Sequence, residues 1–382
     1  MLKAIYSTVS CILFLSQICA MNQNIGASGT QQNSQQWQTL TDSDFGNLPQ
    51  KLSNAGIKYK IQPLRQHADK HPTYQNEATF RKDTTEKTTI VVSNTHSCTI
   101  ERYENSCYER GISSQFVIDY DGTVFMTVPC EGYVSFMSGQ SKYFNMSSLN
   151  KSSINIQVLG GAFYDEKKAN ESAREKTNEE SLKKAKTDAG QTIIKKDGIE
   201  WFKFTNDQQE ALGKLCRTLC DSEDFKIRYI AGLGDVNYKH VAPGFCLDWK
   251  KLFDDYKVGF YPNKETVEEV AEVIKSLPED QKEKVIDSLL KLCGYDSEYN
   301  LEVTLDQRIW HFCVRYQQEL FTEKKFEYSN LSIDQKNTIL AALLVTAKHY
   351  VATLNLISNE GFSDELDKIT LDASGLHKEL FK

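Results

Sequence analysis

The sequence has little that would suit a nucleic-acid binder, a disulfide scaffold or a membrane-spanning protein. Its 382 residues carry 45 Lys and Arg against 52 Asp and Glu, so no excess of positive charge is available for contacts to duplex phosphates. Ten cysteines are too few to replace a core, and the absence of any Cys-x-x-Cys pair disfavours a cysteine zinc knuckle. After residue 20 no apolar run approaches the ~20 residues that a spanning helix needs. These absences predict no nucleic-acid partner and no transmembrane span.

The length and composition are those of a soluble globular protein with two domains. Apolar residues make up 40% of the chain and charged residues 25%. At roughly 100–200 residues per domain, a chain of this length can bury a separate core in each of two domains.

The N-terminal segment is typical of a secretory signal. Lys3 precedes a mostly apolar stretch that ends at Ala20, and residues 1–20 are therefore predicted to be a signal peptide. A buried N-terminal helix and a lipid anchor on Cys19 are the alternatives, the latter disfavoured by Ile18. Residues 21–54, which begin with a Gln-, Asn- and Ser-rich stretch, are predicted to form a polar tether. We expect the mature protein to be exported, whether to the periplasm, to the outer membrane or into the medium.

Export would allow disulfides among the remaining cysteines. Cys98 and Cys107 are the best candidate pair, since they flank a short polar stretch. Cys216 and Cys220 lie one helical turn apart, where a bridge has demanding geometry, so they are interpreted as core residues.

Strand signals dominate the first half of the chain. Thr88–Val92 and Ser153–Leu159 are rich in β-branched residues, and Asp121-Gly122 joins two strand-like runs as a hairpin turn would. Residues 164–198 carry nine Lys and Arg and eight Asp and Glu, which predicts a solvated insertion with a frayed helix. The pattern predicts an α/β domain over residues 55–262 that contains this insertion.

Helix signals dominate the second half. Thr205 with Gln208 forms a capping box ahead of an apolar helix face, and residues 249–256 are predicted to be helical. Three further boxes open amphipathic runs: Thr266 with Glu269, Thr304 with Gln307, and Ser332 with Gln335. A helical domain is therefore predicted over residues 263–382.

The first half contains an ordered series of distinctive segments: Ile90–Thr95, Phe116–Val124, Phe136–Ser141, Leu149-Asn150 with Ser153–Gln157, Phe204–Leu212, Ile230–Val236 and Ala242–Gly244. In this order they resemble the type 2 zinc-dependent N-acetylmuramoyl-L-alanine amidases, the superfamily that also holds the peptidoglycan recognition proteins. The second half resembles the peptidoglycan-binding-type domain of the two-domain outer-membrane amidase of Gram-negative bacteria, through Leu289-Leu290, Gly294–Asp296, Ile309, Phe312 and Tyr316. The resemblance implies a central mixed β-sheet flanked by helices, followed by a small helical domain.

The resemblance also implies a metal site, but the residues at its positions differ from the family pattern. The family holds zinc with two His and one Asp or Cys, and the matching positions here are Ser93, Leu233 and Ala242. Gln157 stands at the position of the Glu base and His240 at that of the Lys. Met137 replaces the His of the Trp-His-Ala-Gly segment. Since Leu and Ala have no lone pair to donate, we expect no zinc cofactor and a catalytically inactive member of the family.

Three functions remain open. The first is an exported pseudoenzyme that binds peptidoglycan fragments or muropeptides in a groove lined by Ser93, Asn94, Phe136, Met137, Asn150, Gln157 and His240. The second is an active amidase that cleaves the lactyl-L-alanine amide with a relocated metal or with none. The third is a secreted scaffold or effector that binds another protein through the insertion and the tether.

Other residues could support catalysis, but each has a simpler interpretation. His67 and His71 lie one helical turn apart but in polar surroundings, and His96 follows the first ligand position by three residues. His240 with Cys246 could form a thiol–imidazole pair, although a structural thiol is the more common case. Asp235 is expected to make a local turn hydrogen bond.

Overall fold

A computed structural model gives the structure of the protein. It describes residues 40–64, 80–95, 97, 99–137, 149–160, 163–164, 184, 186–237, 240–276, 278–295, 303–322 and 324–355. The predicted signal peptide, and His67, His71, His96 and Cys98, lie outside these residues.

The described residues form strands mainly in the first half and helices in the second. The strands are β1 (Tyr59–Ile61), β2 (Phe80–Lys82), β3 (Thr89–Thr95), β4 (Phe116–Ile118), β5 (Val124–Met126), β6 (Tyr133–Ser135), β7 (Ser153–Leu159), β8 (Phe163–Tyr164), β9 (Ile193–Lys196), β10 (Ile199–Phe202) and β11 (Tyr229–Gly232). The α-helices are α1 (Leu48–Asn54), α2 (Ile100–Arg110), α3 (Leu149–Ser152), α4 (Asn206–Cys220), α5 (Leu233–Val236), α6 (Trp249–Tyr256), α7 (Lys264–Lys275), α8 (Glu279–Leu292), α9 (Leu305–Tyr316) and α10 (Ile333–Asn355). Single turns of 3-10 helix lie at Asp42–Phe45, Gly244–Cys246, Gln318–Leu320 and Tyr328–Asn330.

A six-stranded mixed sheet forms the centre of the fold, in the order β1-β5-β4-β7-β3-β11. Strands β4, β7, β3 and β11 run parallel to one another, whereas β4 and β5 pair antiparallel. Both β3 and β7 are almost fully buried, as the continuous β-branched runs predicted. A three-stranded sheet (β8-β10-β9) and a pair (β2-β6) lie beside it.

The sequence correctly predicted the hairpin between β4 and β5. The amide of Gly122 donates to the carbonyl of Asp119 at 3.0 Å, and the amide of Asp119 donates to the carbonyl of Thr123 at 2.9 Å. Gly122 has φ of +77°, and an added Cβ would lie 2.8 Å from the carbonyl oxygen of Asp207. Glycine is therefore required at this turn for two independent reasons.

Most of the predicted helix starts are confirmed. The Thr205, Thr304 and Ser332 boxes all form, each with the Gln side chain accepting from the capping amide at 2.9–3.0 Å. The prediction of a capping box at Thr266 was wrong, because helix α7 begins one turn earlier. The Asn263 side chain caps it by accepting from the amide of Thr266 at 3.2 Å. Asn is as good a cap as Thr and precedes the first helical residue directly.

One continuous apolar core joins the sheet to the C-terminal helices, and the fold is of the predicted mixed α/β class. The described residues lie in one compact unit. The core includes Ile90, Val92, Ile154 and Ile156 of the sheet, Leu212 and Leu215 of α4, and Leu289, Phe312 and Ala341 of α8, α9 and α10. The domain boundary at residue 262 therefore does not coincide with a break in the core.

Two segments assigned to solvent are partly core. Phe45, Leu48 and Leu52 lie in the predicted tether, yet they are buried on the 3-10 turn and on α1. In the predicted insertion, residues 193–196 form β9, and the turn after them docks on the helical half: the indole N–H of Trp310 donates to Asp197 Oδ2 at 2.9 Å. Because both segments are polar on average, their composition did not indicate the few side chains that are buried.

No helix within the described ranges is both long enough and apolar enough to cross a lipid bilayer.

Candidate functional site

The register of three parallel strands brings the candidate site together. Ser93 on β3 pairs with Gln157 on β7, and Val92 on β3 pairs with Gly232 on β11. Leu233 follows Gly232 directly, so it extends beyond β11 next to Ser93. Side chains at the carboxyl ends of neighbouring parallel strands meet at one edge of the sheet, which is where open α/β sheets place their sites. We call this place the corner, formed by Ser93, Gln157, Leu233, Ala242 and Met137.

Ala242 and Met137 reach the corner from two loops. The amide of Gly234 donates to the carbonyl of Ala242 at 2.7 Å, which holds the two chain segments side by side. The Gln157 Nε2 group donates to Met137 Sδ at 3.1 Å. The residues at the three expected ligand positions and at the expected base position therefore do come together.

An apolar cluster includes the hydrophobic residues of the corner. It consists of Val91, Leu149, Tyr229, Ala231, Leu233, Val236 and Tyr350, with Met137 and Ala242 packed against it. Leu233 is 5% exposed, and burial of a leucine side chain contributes about 1.5–3 kcal/mol. Burial raises the pKa of Tyr229 to about 12 and also raises that of Tyr350, so both hydroxyls keep their protons at neutral pH.

The polar groups of the corner are few and uncharged. Ser93 is 2% exposed and its hydroxyl donates to the carbonyl of Asn94 at 3.3 Å. Gln157 is 5% exposed, and its Oε1 atom has no hydrogen-bond partner among the described residues. A buried carbonyl oxygen without a donor costs about 1–3 kcal/mol, which a ligand N–H would recover.

These side chains do not fit a zinc ion. Ser93 offers a neutral hydroxyl, and Leu233 and Ala242 offer only carbon, whereas zinc in proteins takes His, Cys or carboxylate ligands. Among the described residues no group of three or more His, Cys, Asp and Glu side chains is placed to hold a metal ion.

The other predicted groove residues differ from the corner residues in their exposure or in the face of the sheet that they occupy. Asn94 is the next residue on β3, and because successive strand residues point to opposite faces, its side chain leaves the sheet on the face opposite to Ser93. Phe136 is half-buried under the guanidinium of Arg81, whose carbon lies 5.6 Å from the ring centroid. Asn150 is half-buried on α3, and His240 is exposed.

A buried carboxylate behind the corner is the feature that sequence reasoning underestimated. The predicted local bond exists, since the amide of Gly232 donates to Asp235 Oδ2 at 2.7 Å. The same oxygen also accepts from Arg315 Nη1 at 3.0 Å, and Asp235 Oδ1 accepts from the Tyr295 hydroxyl at 3.0 Å. One sequence signal marks Arg315 as a buried cation, although not its partner: it lies on the apolar face of α9 that Phe312 and Tyr316 share.

The space between this carboxylate and the loop is small. A cavity of about 10 Å³ is lined by residues that include Gly234, Asp235, Ala242, His311 and Arg315. That volume is close to the least that can hold one water molecule.

The buried thiols of the described residues are poorly placed to act as nucleophiles. Cys246 is fully buried while His240 is exposed, so the two members of the alternative thiol–imidazole pair have different surroundings. Cys107 is a buried free thiol on α2, and its predicted disulfide partner, Cys98, lies outside the described residues. Burial raises the pKa of Cys107 to about 12 and that of Cys220 to about 11.

Comparison with known proteins finds a family match for the residues around the corner. The N-acetylmuramoyl-L-alanine amidase (Amidase_2) family model matches residues 71–245. No curated protein matches the chain. Among solved structures, the amidase AmiD from E. coli, in complex with anhydro-N-acetylmuramic acid-L-Ala-D-γ-Glu-L-Lys, is 16% identical with a TM-score of 0.48 over 71% of this chain and 92% of that one. AmpDh3 from Pseudomonas aeruginosa is 15% identical with a TM-score of 0.48 over 73% of this chain and 98% of that one.

The family match spans β3, β7 and β11 and therefore includes every residue of the corner. It confirms the resemblance that the ordered sequence segments predicted. Residues 71–245, slightly less than half of the chain, are thus similar to the N-acetylmuramoyl-L-alanine amidase family.

Proposed function

We propose that the protein binds muropeptides, the peptide-bearing fragments of peptidoglycan, at the corner, and that it does so without zinc and without hydrolysing the lactyl-L-alanine amide. The family match supports the class of ligand. The side chains at the three ligand positions support the loss of hydrolysis, because they do not suit zinc. Without a metal, a water molecule in the corner keeps a pKa far above neutrality.

The observation that carries the proposal is the unpartnered Oε1 atom of Gln157. A muropeptide stem is rich in amide N–H groups, and one of them would satisfy this buried oxygen. The apolar walls provided by Leu233, Ala242 and Met137 suit the methyl groups of the lactyl and alanyl units. Gln157 cannot accept a proton as the glutamate of the active family would, so it recognises an amide instead of promoting its cleavage.

Calorimetric titration with N-acetylmuramoyl-L-alanyl-D-isoglutamine tests the binding. We expect the Gln157→Ala variant to bind about 5–10-fold more weakly than wild type, because one hydrogen bond contributes about 1–1.5 kcal/mol. Gln50→Ala is the matched control, since Gln50 is an exposed glutamine on α1 whose side chain bonds only to Asn54 among the described contacts. Equal affinity of all three proteins, or no binding by wild type, would count against the proposal.

Metal analysis separates binding from hydrolysis. We expect less than one zinc per ten chains in protein purified without chelator, and no release of peptide from muropeptides. One zinc per chain, together with amidase activity that a chelator abolishes, would establish the active enzyme instead.

Export to the compartment that holds peptidoglycan is part of the same proposal. Its support is the charged start and apolar run of residues 1–20. Mass spectrometry of the protein from its native cells should find a mature N-terminus near residue 21, and an intact Met1 would contradict export by this route.

A further inference from the structure

The backbone at the corner is tied to the helical half of the protein through one buried carboxylate. Helix α5 begins at Leu233, and its cap residue, Gly232, has no side chain to satisfy the first amides. The Asp235 side chain instead binds back to the cap residue, since its Oδ2 atom accepts from the amide of Gly232. The position of Leu233 in the corner therefore depends on where the Asp235 carboxylate is held.

Arg315 on α9 is the cation that holds this carboxylate. Asp235 is 5% exposed and Arg315 2% exposed, so neither charge is compensated by solvent. Besides Asp235, Arg315 donates through Nη2 to the carbonyl of Ile230, the strand residue two positions before Gly232. The Arg315 side chain thus binds both β11, the last strand before the corner, and α5, the helical turn that follows it.

Aromatic rings keep the guanidinium in place. Its central carbon lies 4.8 Å from the ring centroid of Trp249 and 5.1 Å from those of Phe253 and Tyr316. Aromatic rings at these distances attract the cation and exclude water from it. The Tyr295 hydroxyl completes the arrangement by donating to the second carboxylate oxygen.

We propose that Arg315 and Tyr295 are positioning residues for the muropeptide site: through Asp235 they fix the backbone that places Leu233 and Ala242 at the corner. This inference rests on the proposed function for its ligand, but its structural part can be measured without one. The helical half then contributes to the muropeptide site by fixing the backbone of the corner, and it is not only a separate binding module.

Hydrogen exchange of the amides in residues 230–236, followed by NMR or mass spectrometry, tests the structural part. Arg315→Met should raise the exchange rate of the Gly232 amide at least tenfold at a temperature where the variant is folded. Tyr295→Phe removes only one hydroxyl and should raise that rate by about threefold, so it decides the matter if the first variant does not fold. Arg315→Lys should exchange more slowly than Arg315→Met, because it returns a cation to the carboxylate.

Lys282→Met is the control for a general loss of stability. Lys282 is another buried cation of the helical half, bonded to Glu279 at 2.7 Å and to Asn337 at 3.0 Å. This control should leave exchange in residues 230–236 unchanged. Equal increases in the control and in Arg315→Met, or no increase in Arg315→Met and Tyr295→Phe, would overturn the positioning role.

Affinity for N-acetylmuramoyl-L-alanyl-D-isoglutamine tests the functional part. Arg315→Met should bind at least fivefold more weakly, with Arg315→Lys between it and wild type. Unchanged affinity in a variant whose corner exchanges faster would overturn the link between the carboxylate and the site. If wild type does not bind, the proposed function fails, while the exchange rates still decide whether Arg315 fixes the corner backbone.

Discussion

Restoring the three ligand positions should give the protein a zinc site. The variant carries Ser93→His, Leu233→His and Ala242→Asp, which provides the two imidazoles and one carboxylate of the family pattern. The strand register already brings residue 93 beside residue 233, and the bond between the Gly234 amide and the Ala242 carbonyl brings residue 242 to the same place. We therefore expect one zinc to bind per chain.

The magnitude follows from the burial of the corner. Replacing Leu233 removes about 1.5–3 kcal/mol of apolar burial, and the new polar groups at residues 93 and 242 bring the loss for the metal-free variant to roughly 3–5 kcal/mol. Zinc at 1,000 times its dissociation constant returns about 4 kcal/mol. The loaded variant should thus unfold at nearly the same denaturant concentration as wild type, and the metal-free variant at a clearly lower one.

Equilibrium dialysis with zinc, followed by elemental analysis and by denaturant unfolding with and without metal, measures both quantities. The matched control moves one imidazole by a single residue: Asn94→His, Leu233→His and Ala242→Asp. It has the same number of ligands, but residue 94 faces away from residue 93 across the sheet. Equal zinc affinity of the two triple variants, or none in the first, would refute the assignment of Ser93, Leu233 and Ala242 to one corner.

Three smaller predictions follow from single residues. Gly244→Ala should destabilise the protein by about 2–4 kcal/mol in denaturant unfolding, because φ is +54° and an added Cβ would lie 2.3 Å from the Trp201 ring; an unchanged midpoint would contradict this. Burial lowers the pKa of Lys87 from 10.5 to about 8, so its contribution to the free energy of unfolding is unfavourable below pH 8 and is relieved as the pH rises to 10.5. Relative to Lys87→Met, wild type should therefore gain up to about 3 kcal/mol between pH 8 and 10.5, and parallel pH curves would exclude the shift. Cys107 should resist iodoacetamide in the native protein at pH 8 and react on unfolding, since burial raises its thiol pKa to about 12; labelling at the rate of a free thiol would contradict its burial.

Local signals predicted the central fold well. The β-branched runs of β3 and β7, the Asp121-Gly122 turn and the Thr205 cap each depend on neighbouring residues, and each was found where the sequence placed it. The corner was predictable for a similar reason, because its residues lie on or shortly after recognisable strands or precede a Pro-Gly pair. The functions assigned to those residues remain predictions.

Features that depend on distant partners could not be predicted. Asp235 and Arg315 are 80 residues apart, and no local pattern tells which cation will reach a given carboxylate. Composition also misled at Phe45, Leu48 and Leu52, where three buried side chains in a polar stretch were enough to add a helix to the core. An average over a segment does not show which of its members are spaced to pack together.

The place of Tyr350 in the apolar cluster of the corner has a consequence for biosynthesis. Tyr350 lies on α10, which the ribosome makes long after β3 and β11, yet it packs with Val91 and Ala231 of those strands. Until α10 has been synthesised, the apolar surface that Tyr350 covers beside these two central strands stays exposed in the nascent chain. Chaperones that shield such surfaces should therefore associate with this polypeptide until translation is nearly over, and ribosome-bound chains stalled before residue 333 should aggregate on release more readily than full-length chains.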